Sequence, residues 1–301
     1  MSLLRTDIWK IGIIRAPMRN IVEAGRFDPF EVHWLEKEGD FRFLADPFGL
    51  WLGGALVVLA EAYDYRTCKG VIEAFVLDND FRILERRVVL DEPWHLSYPF
   101  LIEEGGEIWM LPEAHRSGRL TLYRAVDFPW KWERSADFSF PCAAIDASPV
   151  RIGAQWWMFY TPPFPKEGRQ ETLKVARADS LFGSWEDLSP LPARRDRRSA
   201  RMGGTPLIVE GSLILPMQDC TQSYGGGLTL LQTPLPLNAS PVWEIRSSLA
   251  PLAQWSPFTD GAHTLSQAGE VTLIDAKRIR KAPLRRLALE AGRALRSAWA
   301  E

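Results

Sequence analysis

LSYPFLIEEGGEIWMLPEA, from Leu96 to Ala114, carries the pattern that decides the fold. A polar start is followed by a proline, an apolar run, a glycine turn and a second apolar run. Four other segments repeat it: ADPFGLWLGGALVVLAEA from Ala45, DASPVRIGAQWWMFYT from Asp146, GGTPLIVEGSLILPMQD from Gly203 and DGAHTLSQAGEVTLIDA from Asp260. The prolines at 47, 99, 149 and 206 recur every 50–57 residues, the length of a four-stranded propeller blade. Seven residues after the turn glycines Gly54, Gly106, Gly153, Gly211 and Gly269 stand Glu61, Glu113, Tyr160, Gln218 and Ala276. Each segment therefore reads as an antiparallel hairpin whose two outer ends lie at one face. That places Asp46, Tyr98, Asp146, Thr205 and His263 on the same rim as Glu61, Glu113, Tyr160, Gln218 and Asp275.

Third strands follow as VIEAFVLD, LTLYRAVD, LKVARAD and GLTLLQT, and fourth strands as RRVVLD, WKWERS, SWEDLS and VWEIRS. The fifth segment has neither. The N-terminal runs WKIGIIRAP and EVHWLEKEG supply them, which closes the ring and removes exposed sheet edges. The expected fold is all-β, a five-bladed β-propeller over residues 1–278 closed by N-terminal strands. A basic, amphipathic C-terminal helix is expected over 279–301, with apolar residues at 284, 287, 288, 291, 295 and 298. From Lys277 onward eight basic and two acidic residues give +6; against −2 overall, the remainder carries −8. Such a helix fits an anionic membrane surface, or alternatively packing on the propeller or at a dimer contact.

Composition narrows the function. A net charge of −2 gives no sign of a nucleic-acid partner, and the apolar run from Phe48 to Ala60 is too short to span a bilayer. Three cysteines (Cys68, Cys142 and Cys220) are too few for a disulfide framework, and MSLLRTDIWK lacks a signal-peptide core, so a cytoplasmic location is expected, peripheral at the inner membrane face through the tail. The four histidines show no metal-ligand spacing and no glycine-rich phosphate loop occurs, so neither metal nor cofactor is expected. Carboxylates at propeller strand ends suit glycosyl chemistry, in which one group assists leaving and another assists attack. The candidate catalytic residues are Asp46, Glu113 and Asp146. The candidate substrate-binding residues are Glu61, His95, Ser97, Tyr98, Arg201, Gln218, Asp219, Tyr224 and His263, a mixture suited to a polyhydroxylated ligand.

FLADPF, Val89 to Trp132 (VLDEPWHLSYPFLIEEGGEIWMLPEAHRSGRLTLYRAVDFPWKW), IDASPV, ARADSLFGSWE, PMQDCTQSYGGGLTLLQ and DGAHTLS together resemble the N-terminal domain of glucosamine inositolphosphorylceramide transferases. The resemblance spans roughly residues 7–278, and its bacterial members occur in polysaccharide and glycolipid gene clusters. It implies a five-bladed propeller similar to family 43 glycoside hydrolases, which carry a base Asp in blade one, an orienting Asp in blade three and an acid Glu in blade four. Asp46 and Asp146 match the first two. Arg201-Met202-Gly203-Gly204-Thr205-Pro206 offers no blade-four Glu, and the separate transferase domain of the plant members is absent from the sequence. The resemblance implies a glycosyltransferase of polysaccharide or glycolipid assembly, acting on a carbohydrate or sugar nucleotide with a lipid-linked acceptor. In that role Arg201 would hold an anionic donor. A hydrolase with its acid relocated to Glu113 or Asp219, and a non-catalytic sugar-binding module, are the competing readings.

Overall fold

The computed structural model describes residues 5–36, 38–39, 41–238, 241–281 and 289–290. Its strands are β1 (Arg5–Ile14), β2 (Val32–Trp34), β3 (Arg42–Leu52), β4 (Ala55–Asp64), β5 (Lys69–Leu77), β6 (Ile83–Leu90), β7 (Ser97–Glu104), β8 (Glu107–Glu113), β9 (Tyr123–Asp127), β10 (Lys131–Arg134) and β11 (Ile145–Ile152). They continue as β12 (Gln155–Thr161), β13 (Thr172–Ala178), β14 (Glu186–Asp187), β15 (Arg194–Arg195), β16 (Leu207–Val209), β17 (Ser212–Asp219), β18 (Gly227–Pro234), β19 (Glu244–Leu249), β20 (Leu265–Ala268) and β21 (Val271–Lys281). A short helix, α1 (Met18–Ala24), buries Met18, Ile21 and Val22.

Pairing gives five antiparallel sheets. Blade one is β3-β4-β5-β6, blade two β7 to β10, blade three β11 to β14 with β15 on β13, and blade four β16 to β19. Blade five is β20-β21-β1-β2, with its outer half supplied by the N-terminus as the repeat predicts. The β1–β21 register runs without a bulge from Arg5↔Lys281 to Ile14↔Thr272. The last strand thus reaches Lys281, three residues past the expected domain boundary. The amphipathic helix expected over the tail falls, apart from residues 279–281 and 289–290, outside the described residues.

Burial falls from the axis outward. β4 is buried almost throughout and β6 is mostly exposed. Inner strands covered on both faces read as continuous apolar runs such as ALVVLA, whereas outer strands such as ILERRVVL are mixed. The apolar residues fall into five clusters, each filling one gap between neighbouring blades. Val58, Phe75 and Leu273 meet between blades five and one, Leu59 and Met110 between one and two, Leu111 and Met158 between two and three, Phe159 and Leu215 between three and four, and Leu230 and Ile274 between four and five. Blades four and five also touch through backbone: Gly204 bridges Leu265, and a Cβ at Gly204 would stand 1.8 Å from the Leu265 carbonyl oxygen.

Closure makes β1 as integral as any internal strand. Ile11 is fully buried in the gap between blades five and one. Ile11→Ala should cost about 3 kcal/mol in denaturant unfolding, the same range as Leu215→Ala in covalently continuous blade four. A loss below about 1 kcal/mol for Ile11→Ala alone would show that the N-terminal strand is dispensable.

Candidate active site at the propeller axis

The inner strands of blades one, two and three carry the same irregularity. The register shifts between Ala45 and Phe48, Ser97 and Phe100, and Ile145 and Ser148. At each shift one residue turns to positive φ: Asp46 (50°), Tyr98 (48°) and Asp146 (49°). An extra residue bends the strand and re-aims a side chain, and Asp is among the residues that accept the left-handed region. The residues opposite these bulges are Glu61 (on Ala45), Glu113 (on Ser97) and Thr161 (on Ile145). In blade three the turn is Gly153-Ala154, so the rim residue is Thr161 and not Tyr160. A one-residue slip reverses the face, and Tyr160 instead packs between blades with its hydroxyl 2.5 Å from Asp187 Oδ1. In blade five the same count reaches Lys277, opposite Gly261.

Four carboxyl groups from three blades meet here: Asp46, Glu61, Glu113 and Asp146 are all 3–6 % exposed. Their environments differ sharply. Asp46 Oδ1 accepts a hydrogen bond from Thr264 Oγ1 (2.9 Å) and lies 3.7 Å from His263 Nε2. Burial, opposed by His263 but reinforced by Asp275 and Asp146, pushes its carboxyl up to about 6. Glu61 is pushed well above the ordinary range, first by burial and then by the charges of Asp46 and Glu113. Its neighbour His95 accepts the Gly70 amide at Nδ1 (2.8 Å), which leaves the neutral ring's proton on Nε2, 3.6 Å from Glu61 Oε1. Burial also lowers the affinity of His95 for a second proton.

Glu113 behaves in the opposite way. It receives Ser97 Oγ (3.1 Å), the His115 amide (2.8 Å) and His115 Nδ1 (2.6 Å). Burial works against its ionisation, but the side-chain and backbone hydrogen bonds from His115 outweigh it and bring the carboxyl down to about 2. Glu113 is thus held as a carboxylate, which removes it as a proton donor. Asp146 Oδ2 receives Arg201 Nε (2.7 Å) and Gln218 Nε2 (2.9 Å). Blade four therefore supplies a guanidinium and an amide to this carboxyl group.

Behind Asp46 lies a sealed network. Asp275 accepts the amides of Asp46 (3.1 Å), His263 (2.9 Å) and Thr264 (3.1 Å), and His263 Nδ1 stands 2.7 Å from it. Burial opposes the charge on both partners, yet their attraction raises the pKa of His263 and lowers that of Asp275. Trp9 stacks on the His263 ring at 3.8 Å, and Tyr224 meets it edge-on at 5.4 Å. A Cβ at Gly225 would fall 2.7 Å from Trp9 and 2.8 Å from His263, so only glycine lets this loop lie so close. Lys277, lowered by burial to about 8, ties the loop down through Ser223 Oγ (3.0 Å) and the Tyr224 carbonyl. Asp46, His263 and Asp275 are also a group whose ligand atoms lie within 4.8 Å of one another. Both Asp275 oxygens accept backbone amides and His263 Nδ1 faces Asp275, so a cation binding through those atoms would have to displace these contacts.

The axis thus brings together Asp46, Glu61, His95, Ser97, Glu113, Asp146, Arg201, Gln218, Tyr224 and His263. Two candidates are corrected. Asp219 alternates with Gln218 along β17 and caps an exposed turn, its Oδ1 accepting the Thr221 amide and hydroxyl at 2.9 and 2.5 Å. Tyr98 is fully buried; its hydroxyl accepts the Gly204 amide (2.8 Å) and lies 2.8 Å from Ser148 Oγ and 3.1 Å from the Gly204 carbonyl. It fastens blade two to blades three and four and has no group left for a ligand. Sequence reasoning passed over Trp9, His115, Thr264 and Lys277 as site residues; only the tertiary register brings them here.

Because the folded state holds the Asp46 proton up to about 6, against 3.8 for a free aspartate, this group's stabilising contribution is complete below pH 4. It is lost as pH rises through 6. Asp46→Asn removes the titration while Asn still tolerates the left-handed backbone. Relative to wild type, the variant should gain roughly 2–3 kcal/mol between pH 4 and 7, read as a melting-temperature difference that grows with pH. A pH-independent difference would contradict the buried, raised carboxyl.

Comparison with known proteins agrees with this architecture. A family model described as "Glucosamine inositolphosphorylceramide transferase 1, N-terminal" matches residues 35–252. Glucosamine inositolphosphorylceramide transferase 1 of Oryza sativa subsp. indica is 36 % identical over 189 residues, covering 61 % of this chain and 25 % of the relative. The Arabidopsis thaliana protein of that name is 34 % identical over 190 residues, covering 61 % and 24 %. The chain thus spans about a quarter of the length of these relatives. Among solved structures, a putative glycoside hydrolase from Bacteroides ovatus superposes with a TM-score of 0.57 at 13 % identity, covering 88 % of this chain and 91 % of that one. The GH43_1 enzyme from Xanthomonas citri complexed with xylotriose gives 0.56 at 12 % identity, covering 81 % and 88 %. At such identities these two speak to the fold alone. With the greater part of its length matched by the family model, the chain belongs to the family of the N-terminal domain of glucosamine inositolphosphorylceramide transferase 1.

Proposed function

We propose that this chain is a carbohydrate-active protein that carries out glycosyl transfer at the carboxylate-lined end of its axis, in bacterial polysaccharide or glycolipid assembly. One observation carries the reading: four buried carboxyl groups share one place yet are driven to different protonation states. Glycosyl chemistry needs a proton donor for the leaving oxygen and a carboxylate for the attacking one, and environments that push two acids apart assign those roles. Glu61, held protonated, is the donor. Asp46, ionised above about pH 6, takes the proton of the acceptor hydroxyl as its oxygen bonds to the anomeric carbon. The bond from that carbon to the leaving oxygen breaks, and the leaving oxygen receives the Glu61 proton. Asp146, clamped by Arg201 and Gln218, orients the sugar, with Glu113 fixed as a hydroxyl acceptor.

Support at family level comes from relatives named as transferases. The acceptor in this reading is lipid-linked, and the basic tail brings the propeller to the anionic cytoplasmic face of a membrane. A second reading, hydrolysis, is favoured by one observation: the Glu61 carboxyl is pushed well above the ordinary range, so in this reading the relocated donor would be Glu61 of blade one in place of Glu113 or Asp219. The match to only about a quarter of the plant relatives' length favours a third, a sugar-binding module.

Incubation with panels of activated sugars and lipid-linked acceptors should give a glycosylated acceptor. The rate should rise with pH through about 6 as Asp46 ionises and fall again as Glu61 loses its proton. Asp46→Asn and Glu61→Gln should each lower turnover by about 10²–10⁴-fold. Release of free sugar from aryl glycosides without transfer would replace transfer by hydrolysis. Sugar binding without turnover, surviving both substitutions, would leave only the binding module.

A further inference from the structure

Three arginines stand beside the acidic axis, each with part of its guanidinium fork unbonded; Arg201 is paired with Asp146, while the other two have no carboxylate partner among the described residues. Arg201 spends Nε on Asp146 and donates Nη1 to the Arg169 carbonyl (3.0 Å). Arg169 donates Nε to the Pro163 carbonyl (2.8 Å), and its Nη1 lies 3.3 Å from His115 Nε2, whose other ring nitrogen faces Glu113. Arg197 donates Nε (3.2 Å) and Nη2 (2.9 Å) to the Cys220 carbonyl, and Nη2 also to Gln170 Oε1 (2.8 Å). The guanidiniums of Arg197 and Arg201 therefore both rest on the Arg169–Gln170 segment, and both act on the buried Cys220 thiol. Neither Arg169 nor Arg197 forms an ion pair among the described residues, whereas Arg194, three residues before Arg197, pairs with Asp196.

Carbonyl tethers cost an arginine little of its charge but fix the direction of its fork. Nη2 of Arg169, Nη1 of Arg197 and Nη2 of Arg201 have no hydrogen-bond partner among the described residues. Exposure is graded: Arg201 is 13 % exposed at the inner end, Arg169 half-buried, and Arg197 exposed at the outer end. Phe164, 76 % exposed, lies 5.8 Å from the Arg169 guanidinium carbon, an apolar surface at the edge of the shelf. Planar guanidiniums that cannot lose their charge are suited to bidentate contact with phosphate oxygens.

We infer that Arg169, Arg197 and Arg201 form a shelf that binds the diphosphate of an activated sugar and sets the anomeric carbon over Asp46 and Glu61. This rests on the transfer reading above and gives its donor a chemical class. The shelf neutralises the diphosphate where it meets the carboxylate cluster. Phe164 covers the group on the far side of the diphosphate from the sugar, either a nucleobase or a prenyl chain.

Isothermal titration calorimetry on the full chain tests this with inorganic pyrophosphate, with UDP and GDP, and with a polyprenyl diphosphate in neutral detergent micelles. Pyrophosphate should bind, and one of the other two probe classes should bind more tightly, which identifies the source. Arg169→Gln and Arg197→Gln should each loosen binding about tenfold, with circular dichroism unchanged. Arg177→Gln removes an exposed arginine from the outer part of blade three and should leave binding as it is. Loss of binding in Arg169→Gln restored by Arg169→Lys would reduce the shelf to a bare charge and overturn the fork geometry. Failure of every diphosphate to bind, while glycosyl transfer proceeds from another donor, would overturn the shelf and leave the transfer reading standing. Diphosphate binding that depends on Arg169 and Arg197 without any transfer would support the shelf and remove the reaction.

Discussion

Ring closure meets the chemistry at Asp275. Its two oxygens accept the backbone amides of Asp46, His263 and Thr264, and His263 Nδ1 stands 2.7 Å from it, so one fully buried carboxylate joins the start of blade one to the start of blade five. The residues it joins are separated by 229 positions in one case and by about a dozen in the others. A buried ion pair is costly to assemble and much more costly to leave half-assembled. Asp275 therefore acts as a registration device: the first and last blades fit only when their inner strands stand at matching heights. Asp46 receives its position from this contact, and the rest of the candidate site is arranged around Asp46.

The same burial that makes closure exacting sorts the remaining acids. Glu61, Asp46, Glu113 and Asp146 all lie out of water, so the partners of each decide its charge. Glu113 has three donors and stays ionised; Glu61 faces a neutral imidazole and like charges and stays protonated. No single blade holds this pattern, because each carboxyl group is tuned by residues of the same or a neighbouring blade that the repeat itself does not specify. Preorganised, water-poor charge of this kind is the usual setting for chemistry at a polarised bond.

The blades were legible in the sequence because they obey local rules. A proline, an apolar run and a glycine turn recur wherever two buried strands are joined, and the missing outer strands of the fifth blade point to the N-terminus. Register was less legible. Turn glycines occupy the second turn position in blades one, two and four but the first in blades three and five, so the count from glycine falls on Tyr160 and Ala276 where the pairing selects Thr161 and Lys277, although Asp275, read onto the rim, does stand beside Asp46 and His263. Asp219 sits next to a true axis residue but on the other face of β17. Tyr98 occupies the bulge position shared with Asp46 and Asp146, yet its hydroxyl is sealed by Gly204, 106 residues away. Trp9 stacks on His263 only once the ring has closed. Contacts of this range arise from the completed fold and leave no local signal.

The central claim is that one closed ring drives neighbouring carboxyl groups to opposite protonation states. Carbon-detected NMR titration of the side-chain carboxyls of Asp46, Glu61 and Glu113 measures it directly. Glu113 should titrate at about 2, Asp46 at about 6 and Glu61 well above the ordinary glutamate range. Three independent titrations clustered near the values of free aspartate and glutamate would show that these groups share no buried site.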